Sequence, residues 1–383
     1  MQTNEQLITL CQELIKRPSL SGSEGDVASY IQQTMQKLGF DEVSIDAHGS
    51  VIGSIHGKAE GPAILMDGHI DTVGVENPQL WTYGPFEGRL VDGRIYGRGS
   101  SDMKGALSAM IVSAATFKKR TGGNFHGSIH VSGTVFEECF EGVSSRLVTA
   151  RIKPDIVIVG EASSLSIKRG QRGRAEMVLQ TFGKSCHSSN PQEGVNAVCA
   201  MLTLLPEILA LEPPHHSVLG DGILVLTDII SSPYPGLSVV PESCKVTFDR
   251  RLLPGETEAS ILVPIQQVLD KHPAIEASVS VAEDSLCCYT GIGMSAKRFF
   301  PAWLLDEDHP LVQTAKKALP SSTLSHYSFC TNASHFCAEA GIPTIGYGPS
   351  DEKLAHTVDE YISVEQLSLA LGGYLSLLDH LLL

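Results

Sequence analysis

Apolar residues recur at helical spacing from the start of the chain. Leu7, Ile8, Leu10, Cys11, Leu14 and Ile15 line one face over residues 4–16, until Pro18 breaks the pattern. Residues 23–38 form a second amphipathic stretch, ended by Gly39. Short apolar runs then alternate with helical ones. Residues 63–66 read as a strand, 103–119 as an alanine-rich helix, 129–136 as a strand and 156–159 as a buried strand. Such alternation predicts an α/β domain with a mostly parallel sheet.

The texture changes after about residue 170. Strands are expected at 174–182, 223–230, 243–248 and 275–281, with helices at 194–211 and 256–270. The order βαββαβ is that of a ferredoxin-like two-layer sandwich. The run 341–347 then returns to the first sheet. The chain therefore divides into a first domain over 1–169 and 288–383, with a second, 170–287, inserted into it.

Length supports two domains: 383 residues exceed one average domain. A formal net charge of −15 argues against nucleic-acid binding, since no basic surplus exists to neutralise phosphates. Nine cysteines without regular spacing do not read as a disulfide framework. The polar N-terminus lacks a signal-peptide pattern, and no apolar run is long enough to span a bilayer. A cytoplasmic protein without membrane partners is expected.

Candidate chemistry gathers at predicted strand ends. His69, Glu137-Glu138 and Glu161 each follow a strand, at the edge where open α/β sheets bind ligands. Asp102 precedes the alanine-rich helix, where capping is the alternative role. Asp71, two residues beyond His69, can orient a liganding imidazole. Two adjacent buried acids repel unless cations neutralise them, so one of the pair could ligate a metal while its neighbour stays free to accept a proton. Glu161 could instead cap a turn, and His356 could be a surface residue. Together His69, Asp102, Glu138, Glu161 and His356, with Glu137 as base, make the inventory of a two-metal hydrolase.

Several ordered motifs carry a family likeness. They are Gly68-His69-Ile70-Asp71-Thr72-Val73, Gly97-Arg98-Gly99-Ser100-Ser101-Asp102-Met103-Lys104-Gly105, Glu137-Glu138 and Gly160-Glu161-Ala162-Ser163. Cys186-His187-Ser188-Ser189-Asn190-Pro191, Asp249-Arg250-Arg251-Leu252-Leu253-Pro254-Gly255-Glu256 and Ala355-His356-Thr357-Val358-Asp359-Glu360 extend the series. Over essentially its whole length the chain resembles metallopeptidase family 20, which includes aminoacylases, acetylornithine deacetylase, succinyl-diaminopimelate desuccinylase and bacterial glutamate carboxypeptidase. Residues 295–303 and 168–174 resemble the selenium-metabolism-linked branch.

The resemblance implies a dizinc catalytic domain and an inserted lid and dimerisation domain, with cobalt a possible substitute for zinc. Asp102 would bridge the two ions, His69 and Glu161 completing one set of ligands, Glu138 and His356 the other. Glu137 would be the general base and Asp71 the support of His69. Glutamate at 161 matches the deacylases, where the carboxypeptidase has aspartate. His187 would stabilise the oxyanion, often across a homodimer interface, and Arg251 would hold the substrate carboxylate, leaving Arg250 a solvent or structural role. Ser238 stands where asparagine is usual, and Gly348-Pro349-Ser350 ends in serine where glycine is frequent; Ser238 and Gly348 are candidate substrate contacts.

The expected reaction is hydrolysis of an amide bond in an N-acyl amino acid or short peptide with a free carboxylate. The alternatives are an amidohydrolase of carbamoyl or ureido substrates and, from another class, a non-catalytic metal-binding scaffold.

Overall fold

The structure, a computed structural model, describes residues 2–383 and resolves them into two compact units. The first comprises the chain up to Gln171 with Ser285–Met294 and Leu304–Leu383; the second comprises Arg172–Asp284 and Ser295–Trp303. Segment 285–294 joins the first unit through its side chains: the Tyr289 hydroxyl donates to Gly49 O at 2.9 Å and the Thr290 hydroxyl to Ala47 O at 2.7 Å. Phe299 and Phe300 instead pair with Ala175 and Arg174 in the second unit.

The core of the first unit is a largely parallel sheet, as its apolar runs predict. Strand Ala59–His69 lies between His126–Thr134 and Ile156–Val159, parallel to both. Thr344–Gly346 adds in parallel beside Ile156–Val159, and Val51–His56 and Glu42–Ile45 extend the other side in antiparallel register. Ile64, Leu65 and Met66 are wholly buried, as strands covered on both faces must be. Helix Gly105–Thr121 packs its alanine-rich first half into this core and stops at Gly122, whose left-handed φ of 61° is easiest for a residue without Cβ.

That helix starts later than the apolar pattern suggests. Asp102 and Met103 have non-helical backbone angles, and the α-helix itself begins only at Gly105. Asp102 is therefore free of any capping role; the helix has no side-chain N-cap.

In the second unit, strands Ile223–Ser232, Ser243–Leu252, Gly173–Phe182 and Ala277–Val281 form one antiparallel sheet in that spatial order. Helices Ala197–Leu209 and Glu258–Asp270 cover one face, through Met201, Leu204, Ile208, Ile261 and Ile265 against Met177, Leu179, Val246 and Phe248. This is the βαββαβ sandwich. Among the described residues no helix is long and apolar enough to cross a membrane.

Candidate active site

Strand ends deliver most of the site. His69 is the last residue of strand Ala59–His69, and Glu137 and Glu138 follow strand His126–Thr134 through a turn in which Phe136 takes φ 61°. Glu161 lies two residues past Ile156–Val159. His356 comes from the loop after Thr344–Gly346, also in left-handed backbone (φ 61°).

The side chains converge on Asp102. His69 Nε2 is 2.9 Å from Asp102 Oδ1 and 3.6 Å from Glu161 Oε1. His356 Nε2 is 3.2 Å from Asp102 Oδ2 and 3.0 Å from Glu138 Oε2. Ligand atoms of His69, Glu137 and Glu161 lie within 4.8 Å of one another, as do those of His69, Asp102 and Glu138. His69, Glu137 and Glu161 are buried, whereas the His356 side chain is 53% exposed.

Asp71 acts more broadly than a support for His69. Its backbone carbonyl accepts from His69 Nδ1 at 2.8 Å, while its carboxylate stands 3.6 Å from that nitrogen. The carboxylate instead accepts the N–H of Glu137 at 3.1 Å, the N–H of Glu138 at 3.2 Å and the Ser21 hydroxyl at 2.7 Å.

This arrangement fixes a tautomer. A carbonyl can only accept, so His69 Nδ1 carries a proton and Nε2 of the neutral ring presents a lone pair. That lone pair faces carboxylate oxygen, and only a proton or a metal cation between them makes the contact favourable. Without a cation, the imidazole of His69 is held well above its usual pKa: burial opposes the shift, but Asp102, Asp71 and Glu161 outweigh it. His356 is pushed up to about 10 by Asp102 and Glu138.

The carboxyls register the same imbalance. Burial, then repulsion from Asp102 and Glu138, pushes Glu161 up to about 8. Burial, with Glu161 and Glu138 nearby, raises Glu137 well above the carboxylate range, and burial with Asp102 raises Glu138. Asp102 goes the other way, because its two histidines overcome burial. Five acids against two imidazoles leave a negative surplus in a largely buried site, and a donor set of carboxylate and imidazole suits divalent cations.

Three supporting residues escape sequence reasoning. Lys104 is fully buried and donates from Nζ to Leu14 O at 3.1 Å and Arg17 O at 2.8 Å, closing the end of the first helix; burial brings its pKa down to about 7. Asn332 donates to Asp67 at 3.0 Å and Thr134 at 2.9 Å beneath the strand ends. Glu360 is wholly buried against residues 98–102. Its only sequence signal is its place in the His356 motif.

Gly348 is buried against the Glu161 loop. A Cβ there would stand 2.2 Å from Gly160 O and 2.4 Å from Glu161 O, so close backbone approach requires glycine. Ser350, left-handed at φ 72°, places its hydroxyl 2.7 Å from that of Ser101.

The remaining candidates belong to the second unit. His187 is exposed, with Nδ1 accepting from Ser189 N at 3.1 Å; its neighbour Ser188 donates its N–H to Ser238 O at 2.9 Å. Ser238 is itself left-handed at φ 66°. Arg251 Nε pairs with Asp249 at 2.8 Å and stays partly exposed. Arg250 is buried against Glu256 and Ile223 O, which makes it structural and removes it from solvent.

Residues 65–380 match the profile of Peptidase family M20/M25/M40. The chain belongs to that family. The chain is 34% identical over 362 residues to the uncharacterized protein YgeY of Escherichia coli K12, spanning 91% of this chain and 88% of that one. It shares its fold with aminopeptidase PepT of Bacillus cereus (TM-score 0.74, 20% identity, 99% and 98% of the two chains). It is similar also to Bacillus subtilis YxeP, described as a dinuclear metal binding peptidase from M20 family (TM-score 0.71, 15% identity, 98% and 97%). For an M20 peptidase fold, the ends of the parallel strands are where His69, Glu137, Glu138 and Glu161 gather.

Proposed function

We propose that this chain is a two-metal hydrolase cleaving the amide bond of an N-acyl amino acid or short peptide with a free carboxylate. The carrying observation is the lone pair of His69 Nε2 set 2.9 Å from Asp102 within a surplus of buried acids. Zinc is the proposed metal, with cobalt a functional substitute. Asp102 would be shared between two ions, with His69 and Glu161 holding one and Glu138 and His356 the other. Such cations supply Lewis acidity to a carbonyl and acidify water.

Glu137 does the proton work. Its carboxylate, buried and held by its main chain on Asp71, accepts a proton from water as the water oxygen attacks the amide carbon. The C–N bond then breaks, and the same proton passes from Glu137 to the leaving nitrogen. His187 stabilises the oxyanion and Arg251 holds the substrate carboxylate, a task suited to a guanidinium. Ser238 and Gly348 are assigned to the substrate pocket. Self-association through the second unit is part of this reading: strand Ile223–Ser232 is an edge strand with Val225, Ile229 and Ile230 exposed.

The test is a screen of N-acetyl, N-succinyl, N-formyl and N-carbamoyl amino acids and dipeptides with zinc and with cobalt, alongside metal analysis. Glu137→Ala should retain metal and lose turnover. No bound divalent ion at saturating zinc, or full activity of Glu137→Ala, would sink the reading. Turnover of the carbamoyl compounds alone would move the substrate class to ureido amides.

A further inference from the structure

Beneath Asp102 lies a second carboxylate that touches neither His69 nor His356. Glu360 is wholly buried, and its side chain is saturated by donors from one short segment. Oε2 accepts from Arg98 Nη1 at 2.7 Å and Gly99 N at 3.1 Å; Oε1 accepts from Ser101 N at 2.8 Å and Asp102 N at 3.1 Å. Its own carbonyl accepts Gly97 N at 2.8 Å, so main chain and side chain grip the same six residues, 97–102.

The grip comes from the turn that carries His356. Four residues before Glu360, His356 approaches the Asp102 carboxylate at 3.2 Å, while Glu360 binds the Asp102 main chain. Asp359, between them and left-handed at φ 57°, accepts the N–H and the hydroxyl of Thr82, each at 2.7 Å, and so anchors the turn. Asp102 has non-helical backbone angles and caps no helix. The two histidines meet its carboxylate, and its main chain is held by this clasp.

We propose that Glu360 is the positioning residue for Asp102: by binding the N–H groups of Gly99, Ser101 and Asp102 it aims that carboxylate at the metal position, so that metal affinity and turnover depend on a residue that touches neither metal nor substrate. Charge-assisted hydrogen bonds of this kind fix geometry more firmly than neutral ones, and ligand-orienting partners of metal sites govern affinity. The inference rests on the two-metal reading of the site.

Glu360→Gln is the direct test. Its amide oxygen can serve one pair of donors, and its NH2 group opposes the other pair. Zinc affinity, measured by calorimetry against a competing chelator, should fall about 10–100-fold, and kcat with it, while KM stays within about threefold. Glu360→Asp, which keeps the charge but withdraws it by one methylene, should shift the same way and serves if the amide variant does not fold.

Val148→Ala, a cavity in a buried helix position of the same unit, is the control: it should lower Tm and leave zinc affinity at the parent value. Parent-like zinc affinity and kcat in both Glu360 variants would overturn the proposal. So would a loss of affinity in Val148→Ala matching its loss of Tm, since affinity would then follow general stability. A parent protein that binds no zinc would instead overturn the two-metal reading, and the two failures are separate.

Discussion

The carboxylate of Asp71 holds the main chain of Glu137, accepting its N–H at 3.1 Å. The other oxygen accepts the N–H of Glu138 at 3.2 Å, and the Asp71 carbonyl takes the proton of His69 Nδ1 at 2.8 Å. One residue thus sets the orientation of a proposed base and of two proposed ligands. In Asp71→Asn the amide nitrogen must face one of those N–H groups as donor against donor. A fall in kcat of about 10–100-fold is expected, with zinc affinity reduced. Steady-state kinetics and metal titration check it; parent kinetics in Asp71→Asn would remove this role.

Two glycines should respond with opposite signs. Gly348→Ala forces a Cβ into the carbonyls of Gly160 and Glu161, which are backbone and cannot rotate away. A loss of about 1–3 kcal/mol and weakened metal binding are expected. Gly372, exposed within helix Val364–Leu382, has nothing within 4 Å of its would-be Cβ. Gly372→Ala should therefore stabilise by about 0.5–1 kcal/mol. Urea denaturation of the two variants reads both.

His130 predicts a pH dependence of stability. Its buried ring lies between the hydroxyls of Ser54 and Ser128, each at 2.8 Å, and burial followed by nearby His56 pushes its pKa down to about 4. The unfolded chain, with an ordinary value of about 6.5, binds the proton first. The contribution is thus whole above pH 7 and is lost as pH falls from about 6.5 toward 4, amounting to about 2 kcal/mol by pH 5. His130→Asn should lose that part of the slope; an unchanged slope in denaturant melts at pH 7.5 and 5 would refute the assignment.

Arg250 and Arg251 are neighbours with different expected effects. Arg251→Ala should raise KM about 10–100-fold with Tm nearly unchanged, the scale of a lost hydrogen bond to a charged group. Arg250→Ala strands Glu256 in a nearly dry site and should cost about 3–5 kcal/mol. Kinetics paired with thermal melts separate them. If Arg251→Ala leaves KM in place for every cleaved substrate, the carboxylate is held elsewhere.

The edge strand Ile223–Ser232 predicts a concentration-dependent dimer. Val225→Lys with Ile229→Lys should convert it to monomer in sedimentation velocity. A parent protein that sediments as a monomer at micromolar concentration would exclude the interface.

How much of this can be read from the chain follows from the range of each interaction. The apolar run at 156–159 coincides with its strand, since burial on both faces leaves a local signature. The helix expected at 103–119 begins at Gly105, because the Asp102 loop is shaped by Glu360, some 260 residues away. His69, Asp102, Glu138, Glu161 and His356 are visible as residue types, and the structure does bring them together. Asp71 is visible as a neighbour of His69, yet its carboxylate bonds to Glu137 and Glu138 depend on a turn at Phe136 that no local pattern announces. Lys104 and Glu360 look like ordinary charged residues until their burial is known.

Strand Thr344–Gly346 sits between Ile156–Val159 and Ile167–Gln171, two strands that precede it by well over 150 residues. A chain emerging from the ribosome therefore carries the first unit's sheet as two separate pieces for most of synthesis. The second unit, whose segments end at Trp303, is fully made before that sheet can close. His356 follows only ten residues after the closing strand, so a truncated product can complete neither the sheet nor the proposed metal site. The order of synthesis would by itself withhold the proposed site from an unfinished chain.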